Sequence, residues 1–427
     1  MSLYEMPKQN LTAILNHQSR RTHERSPHLY VEPDFPLLNR DLASYREPDV
    51  ARSVFELLIT AIPFVLLWIL IWAALDAGYW IGLILVIPAA GLLVRLFMIQ
   101  HDCGHGSFFR RRSVNDWVGR AISVLTLTPY DFWRRCHALH HASSGNLDHR
   151  GIGDIDTLTV REYLALPGWR QLLYRMYRHP TVMFGIGPAY LFILHHRLPM
   201  ALMRSGWQPW ASTMATNVAI SILAAAMMWL IGVEPFLLVQ LPITLLASSA
   251  GVWLFYVQHQ FENTAWDRDV DWTFQEAALH GSSHYDLPKV LRWFTANIGV
   301  HHVHHLSSRI PYYRLPQVLR DRPQLAAVGR ISLLQSLRCV RMVLWDERRR
   351  RLISFRAVDR LLPRRETNVT WPQVRERYEA SAFRRIMSRC GEVGGSAWPD
   401  EVSAMRGTSL IPRESDRMQL GLEHGRR

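Results

Sequence analysis

Four long uncharged apolar runs, gathered in two close pairs, constrain this chain more than any other feature. Leu57 to Leu75 and Gly78 to Val94 are separated only by Asp76 and Ala77, and Trp210 to Val233 meets Pro235 to Gln258 at Glu234-Pro235. Each run holds about 17 to 24 residues, close to the ~20 that carry a helix across a bilayer. Backbone inside lipid has no water to bond to, which leaves helices or closed barrels, and unbroken apolar runs of this length are helical. The chain is therefore expected to be an all-α integral membrane protein with four transmembrane helices in two hairpins, at about 57–75, 78–100, 210–233 and 235–258. Pro63 and Pro88 interrupt the first pair, and Arg95 is expected to snorkel from its second span to the interface.

Charge orients these spans. The hairpin tips carry no Lys or Arg, whereas Arg20, Arg21, Arg40, Arg46 and Arg52 precede the first span and Arg110, Arg111, Arg112, Arg134 and Arg135 follow the second. The positive-inside rule then puts both termini and the long middle segment in the cytoplasm, as for a bacterial inner-membrane protein. The net charge of +13 could suggest nucleic acid. It is spread as Arg over cytoplasmic segments, however, with its densest run at Arg348 to Arg351, so anionic lipid headgroups are the simpler partner at about 1 kcal/mol per basic residue. No nucleic-acid partner is expected, and no assembly signal fixes an oligomeric state.

The domain plan follows. Residues 1–52 form a polar N-terminal cytoplasmic segment with Pro33 and Pro36 and no cleavable-signal pattern, so the first span is expected to target the membrane. Residues 53–322 form the membrane domain. Residues 323–390 are expected to be a helical basic cap resting on the membrane through Leu333, Leu334, Leu337 and Val340, and 391–427 a poorly ordered tail. Val118 to Leu127 and Thr181 to Leu194 are too short to span and suit helices in the interface or packed helices of the cap.

Onto this frame the sequence places three histidine clusters: His101-Asp-Cys-Gly-His105, His137-Ala-Leu-His140-His141 and His301-His-Val-His304-His305. Residues three and four apart share a helix face, so each cluster is a preformed multidentate ligand. A tetrahedral zinc needs four protein ligands, and eight imidazoles in these patterns suggest two metal ions. Isolated histidines such as His17, His23, His28 and His424 carry no such expectation. Two spans lie between the second cluster and the third, so all three can meet on one membrane face. Cys103, Cys136, Cys339 and Cys390 show no CxxC spacing and read as reduced thiols. Cys103 lies off the face that His101 and His105 share, which favours packing over ligation.

In this order and with this topology, HDCGH, HALHH and HHVHH resemble the boxes of the membrane fatty acid desaturase superfamily. The stretches Tyr256-Val-Gln-His-Gln-Phe-Glu262, Gly281-Ser-Ser-His-Tyr-Asp-Leu-Pro288, Trp293-Phe-Thr-Ala-Asn-Ile-Gly-Val-His301 and Leu306-Ser-Ser-Arg-Ile-Pro311 resemble the bacterial and cyanobacterial acyl-lipid Δ12 (omega-6) desaturases, over about residues 50–356. The resemblance implies a di-iron centre in the cytoplasmic cap, ligated by His101, His105, His137, His140, His141, His301, His304 and His305. It implies His259, at the end of the last span, as a ninth ligand. It places His302 beside the ligands rather than among them, and at His284 relatives often carry an aromatic residue, so no metal role is expected there. The implied reaction puts a cis double bond into a lipid-linked acyl chain.

Breaking an unactivated C–H bond is beyond ordinary acid–base side chains and within reach of an iron–oxygen oxidant, with O2 as co-substrate. Carboxylates near the boxes, Asp102 first and then Asp131, Asp154 and Asp156, can hold liganding imidazoles by accepting their second N–H. The chain has no GxGxxG loop, no iron–sulfur cysteine set and no His-Pro-Gly-Gly motif. Two electrons must therefore come from an external, ferredoxin-like donor, which the Arg-rich face could steer. A hydroxylase or acetylenase would share every ligand, and a His-rich membrane metal transporter is a remote alternative, because the spans lack the polar midplane that transport needs.

Overall fold

The computed structural model describes residues 35–361, apart from residue 152. Its principal helices are labelled here in chain order. Helix α1 (Val50–Asp76) and α2 (Val86–His105), the latter preceded by a 3-10 turn at Trp80–Leu85, form the first hairpin; α6 (Trp207–Ile231) and α7 (Val233–His259) form the second. Between them lie α3 (Arg112–Leu125), α4 (Tyr130–Ser143) and α5 (Gly168–Tyr177), and α8 (His301–Leu306) follows the second hairpin. Among the described residues, four helices are long and apolar enough to cross a membrane. Leu58, Ile62, Val65, Leu66 and Ile69 of α1 and Val218, Ile222, Trp229 and Leu230 of α6 stand exposed, a surface that suits lipid and not water.

The hinge of the second hairpin falls at Gly232, whose φ of 91° is open to a residue without Cβ. The expected break at Glu234-Pro235 lies inside the first turn of α7, where proline needs no N–H partner. Arg95 does not snorkel: at 2% exposure it is ion-paired with Glu56 of α1 and donates to Thr60 Oγ1 (3.1 Å) and the Trp293 carbonyl. The pairing is a tertiary contact between two spans, which no single-span reading could show.

The membrane domain and the cap depart from an all-helical expectation in one respect. Parallel strands β1 (His284–Asp286) and β2 (Arg330–Ser332), and the hairpin of β3 (Leu344–Asp346) and β4 (Arg351–Ile353), add two small sheets. The Arg-rich run forms the β3–β4 turn, where Arg350 pairs with Asp267 (2.5 Å) and Arg349 lies 3.9 Å from Asp346. Trp345 of β3 stacks on Trp266, with centroids 5.5 Å apart. The helix Leu333–Cys339 exposes Leu333, Leu334 and Leu337, while Val340 is half-buried. The tail at 391–427 and Cys390 lie outside the described residues; Cys103, Cys136 and Cys339 form no disulfide among the described residues.

α3 covers the stretch 118–125, and π-helical turns at Val182–Ile186 and Tyr190–Leu194 cover 181–194 with Ile186, Tyr190 and Leu194 exposed. Just before them, α5 exposes Trp169, Leu172, Leu173 and Met176, an i, i+3, i+4, i+7 stripe suited to lying in an interface.

Candidate metal centre

Both hairpins return to one end of the bundle, and each delivers histidine there. α2 ends on His101 and His105 and is stopped by Gly106, whose left-handed φ of 66° caps the Asp102 and Cys103 carbonyls. α7 ends on His259. α4 carries His137, His140 and His141, and the short α8 carries His301, His304 and His305.

Nine imidazoles gather into two groups. His101, His105, His137, His141 and His304 form one, His140, His259, His301 and His305 the other, and within each group the ligand atoms lie within 4.8 Å of one another. The first box stays together, but the second and third each divide between the groups, which their spacing did not suggest. His137 and His141, four apart, turn to the first group and His140 to the second; His301 and His305 turn to the second and His304 to the first. α4 and α8 thus tie the groups together, and His141 stacks on His305 at 4.1 Å across the boundary.

Neighbouring Nε2 atoms sit 3.0–3.2 Å apart along the series His105, His137, His141, His304 and along His140, His259, His301, His305. Imidazole–metal bonds of about 2.0–2.1 Å place ligands at right angles about 3 Å apart. The proton positions sharpen the fit. His140 Nδ1 lies 2.5 Å from Asp154 Oδ1, and His259 Nδ1 lies 3.3 Å from the Gly281 carbonyl. Each acceptor draws the proton to Nδ1, which leaves two Nε2 lone pairs facing each other at 3.2 Å. Two lone pairs repel at that distance, and a cation between them turns the clash into coordination. The residues fit a metal ion. Burial, and then the neighbouring imidazoles, hold His137 and His141 of α4 well below the ordinary imidazole value, and likewise His301, His304 and His305 of α8. The rings therefore stay neutral and free to ligate.

Of the expected carboxylates, Asp102 (Oδ1 3.1 Å from His101 Nδ1) and Asp154 hold rings. Asp131 instead pairs with Arg120 at 3.0 Å, and among the described residues no hydrogen bond joins the Asp156 side chain to an imidazole. His302 points away: its Nε2 meets the Leu325 carbonyl (2.9 Å) and its ring lies beside His284, which bonds the Ala326 carbonyl (2.7 Å). Both rings fasten the 3-10 turn Pro323–Ala327. Sequence reasoning missed Tyr312, whose N–H donates to Asp102 Oδ2 (2.7 Å), and Trp133, which stacks on His137 at 4.6 Å. Position i+4 from Trp133 to His137 is the signal that could have found the second.

Residues 77–332 match the sequence model of the family described as "Fatty acid desaturase". The chain belongs to the fatty acid desaturase family. It is similar to a "Fatty acid desaturase" of Bacillus subtilis (strain 168), with 45% identity over 321 residues that cover 75% of this chain and 91% of the relative. It is also similar to two proteins of Synechocystis sp. (strain ATCC 27184 / PCC 6803 / Kazusa). One is an "sn-1 acyl-lipid omega-3 desaturase (ferredoxin)", at 28% identity over 57% of this chain and 67% of the relative; the other is an "sn-1 oleoyl-lipid 12-desaturase", at 29% over 52% and 63%. As a desaturase it is an oxidoreductase, and its four long apolar helices make it an integral membrane protein.

Proposed function

We propose that this desaturase introduces a cis double bond, at the Δ12 (omega-6) position, into a lipid-linked acyl chain at a di-iron centre, using O2 and two electrons from an external ferredoxin-like donor. The observation that carries the reading is the pair of adjoining imidazole groups gathered at one end of the membrane helices. In this reading His101, His105, His137, His141 and His304 hold one iron, and His140, His259, His301 and His305 the other. Bound there, the irons would supply the redox chemistry with O2 that removes hydrogen from unactivated methylenes.

The balance is –CH2–CH2– + O2 + 2 e⁻ + 2 H⁺ → –CH=CH– + 2 H2O. The chain's own part is to hold and to exclude. Asp102, Asp154 and the Gly281 carbonyl fix ring orientation. Trp133 against His137 and Phe255 against His140 and His259 (5.1 and 5.3 Å) offer apolar walls to acyl methylenes and keep water from the reacting carbons. Arg-rich segments support a cytoplasmic site in a bacterial inner membrane. The ferredoxin named for one relative supports this donor, while a plant relative is named for cytochrome b5. Relatives named for position 12 and for omega-3 match almost equally, so bond position is what the test must read.

The test is the fatty acid profile, with double-bond derivatisation, of a bacterial host fed oleate and expressing the chain beside a His137→Ala control. A new 18:2 acid absent from the control is expected. A hydroxy acid would replace the desaturase outcome with hydroxylation, and a double bond elsewhere would overturn the Δ12 assignment.

A further inference from the structure

The first membrane hairpin contains a buried polar network that no step above uses. Glu56 of α1 is 2% exposed; it meets the half-exposed Arg52 at 2.6 Å, the buried Arg95 of α2, and the hydroxyl of Tyr312, which donates to Glu56 Oε2 at 3.1 Å. Two charges buried between spans are costly unless fully paired, and among the partners of this pair Tyr312 is the one that also reaches Asp102. The Arg95 guanidinium lies over the Tyr312 ring at 5.3 Å and over Trp293 at 4.3 Å, and Phe108 stacks on the other part of the Tyr312 ring at 6.0 Å. At its opposite end the same residue donates its backbone N–H to Asp102 Oδ2 at 2.7 Å, while Asp102 Oδ1 meets His101 Nδ1 at 3.1 Å.

We infer that Tyr312 is a positioning residue: pinned by its hydroxyl to the Glu56–Arg95 pair and by its N–H to Asp102, it sets the orientation of His101 from the buried ion pair of the first hairpin. The inference rests on His101 being a metal ligand. A carboxylate with one oxygen committed to a fixed N–H has only the other to offer, so the place of Tyr312 decides where Asp102 holds the imidazole. Without the hydroxyl, the ring loses its bond to α1 and keeps only its packing. The effect falls on the five-histidine group alone, because the four-histidine group takes its orientation from Asp154 and Gly281.

Tyr313 provides the control. Its hydroxyl contacts Ser53 (3.2 Å) and the Asp49 N–H (2.9 Å), on the same helix α1 and its cap, with no bond to Glu56 or Asp102. The experiment takes the full chain in detergent as Tyr312→Phe, Tyr313→Phe and His101→Ala. Each is titrated with Co²⁺ against a chelator to resolve two binding phases, and its metal-free thermal midpoint is recorded. Tyr312→Phe is expected to weaken one phase about 10-fold or more and leave the other, with Tyr313→Phe like the parent. Two unchanged phases would overturn the inference. So would an equal loss in both phases together with a lowered metal-free midpoint, since that is a structural defect only. Should His101→Ala itself keep both phases, the ligand assignment fails; if it loses one while Tyr312→Phe keeps both, only the positioning role fails.

Discussion

Each imidazole group is served by one carboxylate, and the two carboxylates differ in setting. Asp102 is 1% exposed and fixed by the Tyr312 N–H, whereas Asp154 borders a small cavity, lined also by Ser144, Arg150, Phe255, His259 and Gln260. Imidazole ligands bring no negative charge to offset that of a bound metal, and Asp102 and Asp154 are the carboxyl groups that meet the rings. Asp154→Asn removes the charge and lets His140 take either tautomer. The expected result is a 10- to 100-fold weaker phase of metal binding for the four-histidine group, with the other phase unchanged, read by chelator competition. Equal affinities in both phases would show that His140 needs no carboxylate. The box histidines were legible because i, i+3 and i+4 spacing fixes a shared face. The division of α4 and α8 between two groups was not, since spacing says which residues share a face and nothing of what other helices bring to it. Asp131 shows the same limit: next to the box in sequence, it is claimed by Arg120 and Arg134.

At the scale of elements, the site depends on how closely α3 and α4 pack beside α2. Gly119 of α3 makes this possible, as a Cβ there would lie 2.2 Å from the Tyr130 ring. The Tyr130 hydroxyl in turn lies 2.9 Å from the Cys103 carbonyl and 3.0 Å from Asp116 Oδ1, which locks the start of α4 against the histidine-bearing end of α2. Gly119→Ala therefore forces the helices apart. Overpacking of this kind typically costs about 1–3 kcal/mol, so a lower thermal midpoint is expected together with partial metal loss, measured on the purified protein by differential scanning fluorimetry and metal analysis. A midpoint equal to the parent's would mean that Tyr130 moves aside freely. Nothing in the local sequence marks Gly119, because its partner is eleven residues away on another helix. The spans were legible for the opposite reason: length and apolarity are local. Their ends were less so, and Glu56 was left out of the first span although α1 begins at Val50 and buries it.

For the molecule as a whole, the metal centre exists only if each hairpin crosses twice. α2 and α7 both run toward the site and end on histidine, and α1 and α6 both begin at that side. Were either pair a single bent span, His101 and His259 would fall on opposite faces and no arrangement of α4 could bring His105 and His140 to the same centre. The tips therefore share one side of the membrane, and the Arg-bearing cap occupies the other. Single cysteines at Ala77, Glu234 and Arg348, in a background with the native cysteines replaced by serine, make this measurable in intact bacterial cells with a membrane-impermeant maleimide. Labelling of Ala77→Cys and Glu234→Cys from outside is expected, and of Arg348→Cys only after permeabilisation. The reverse pattern would keep the fold and invert its orientation, placing the electron donor outside the cell. Labelling of one tip without the other would break the hairpin topology, and with it the convergence of nine histidines.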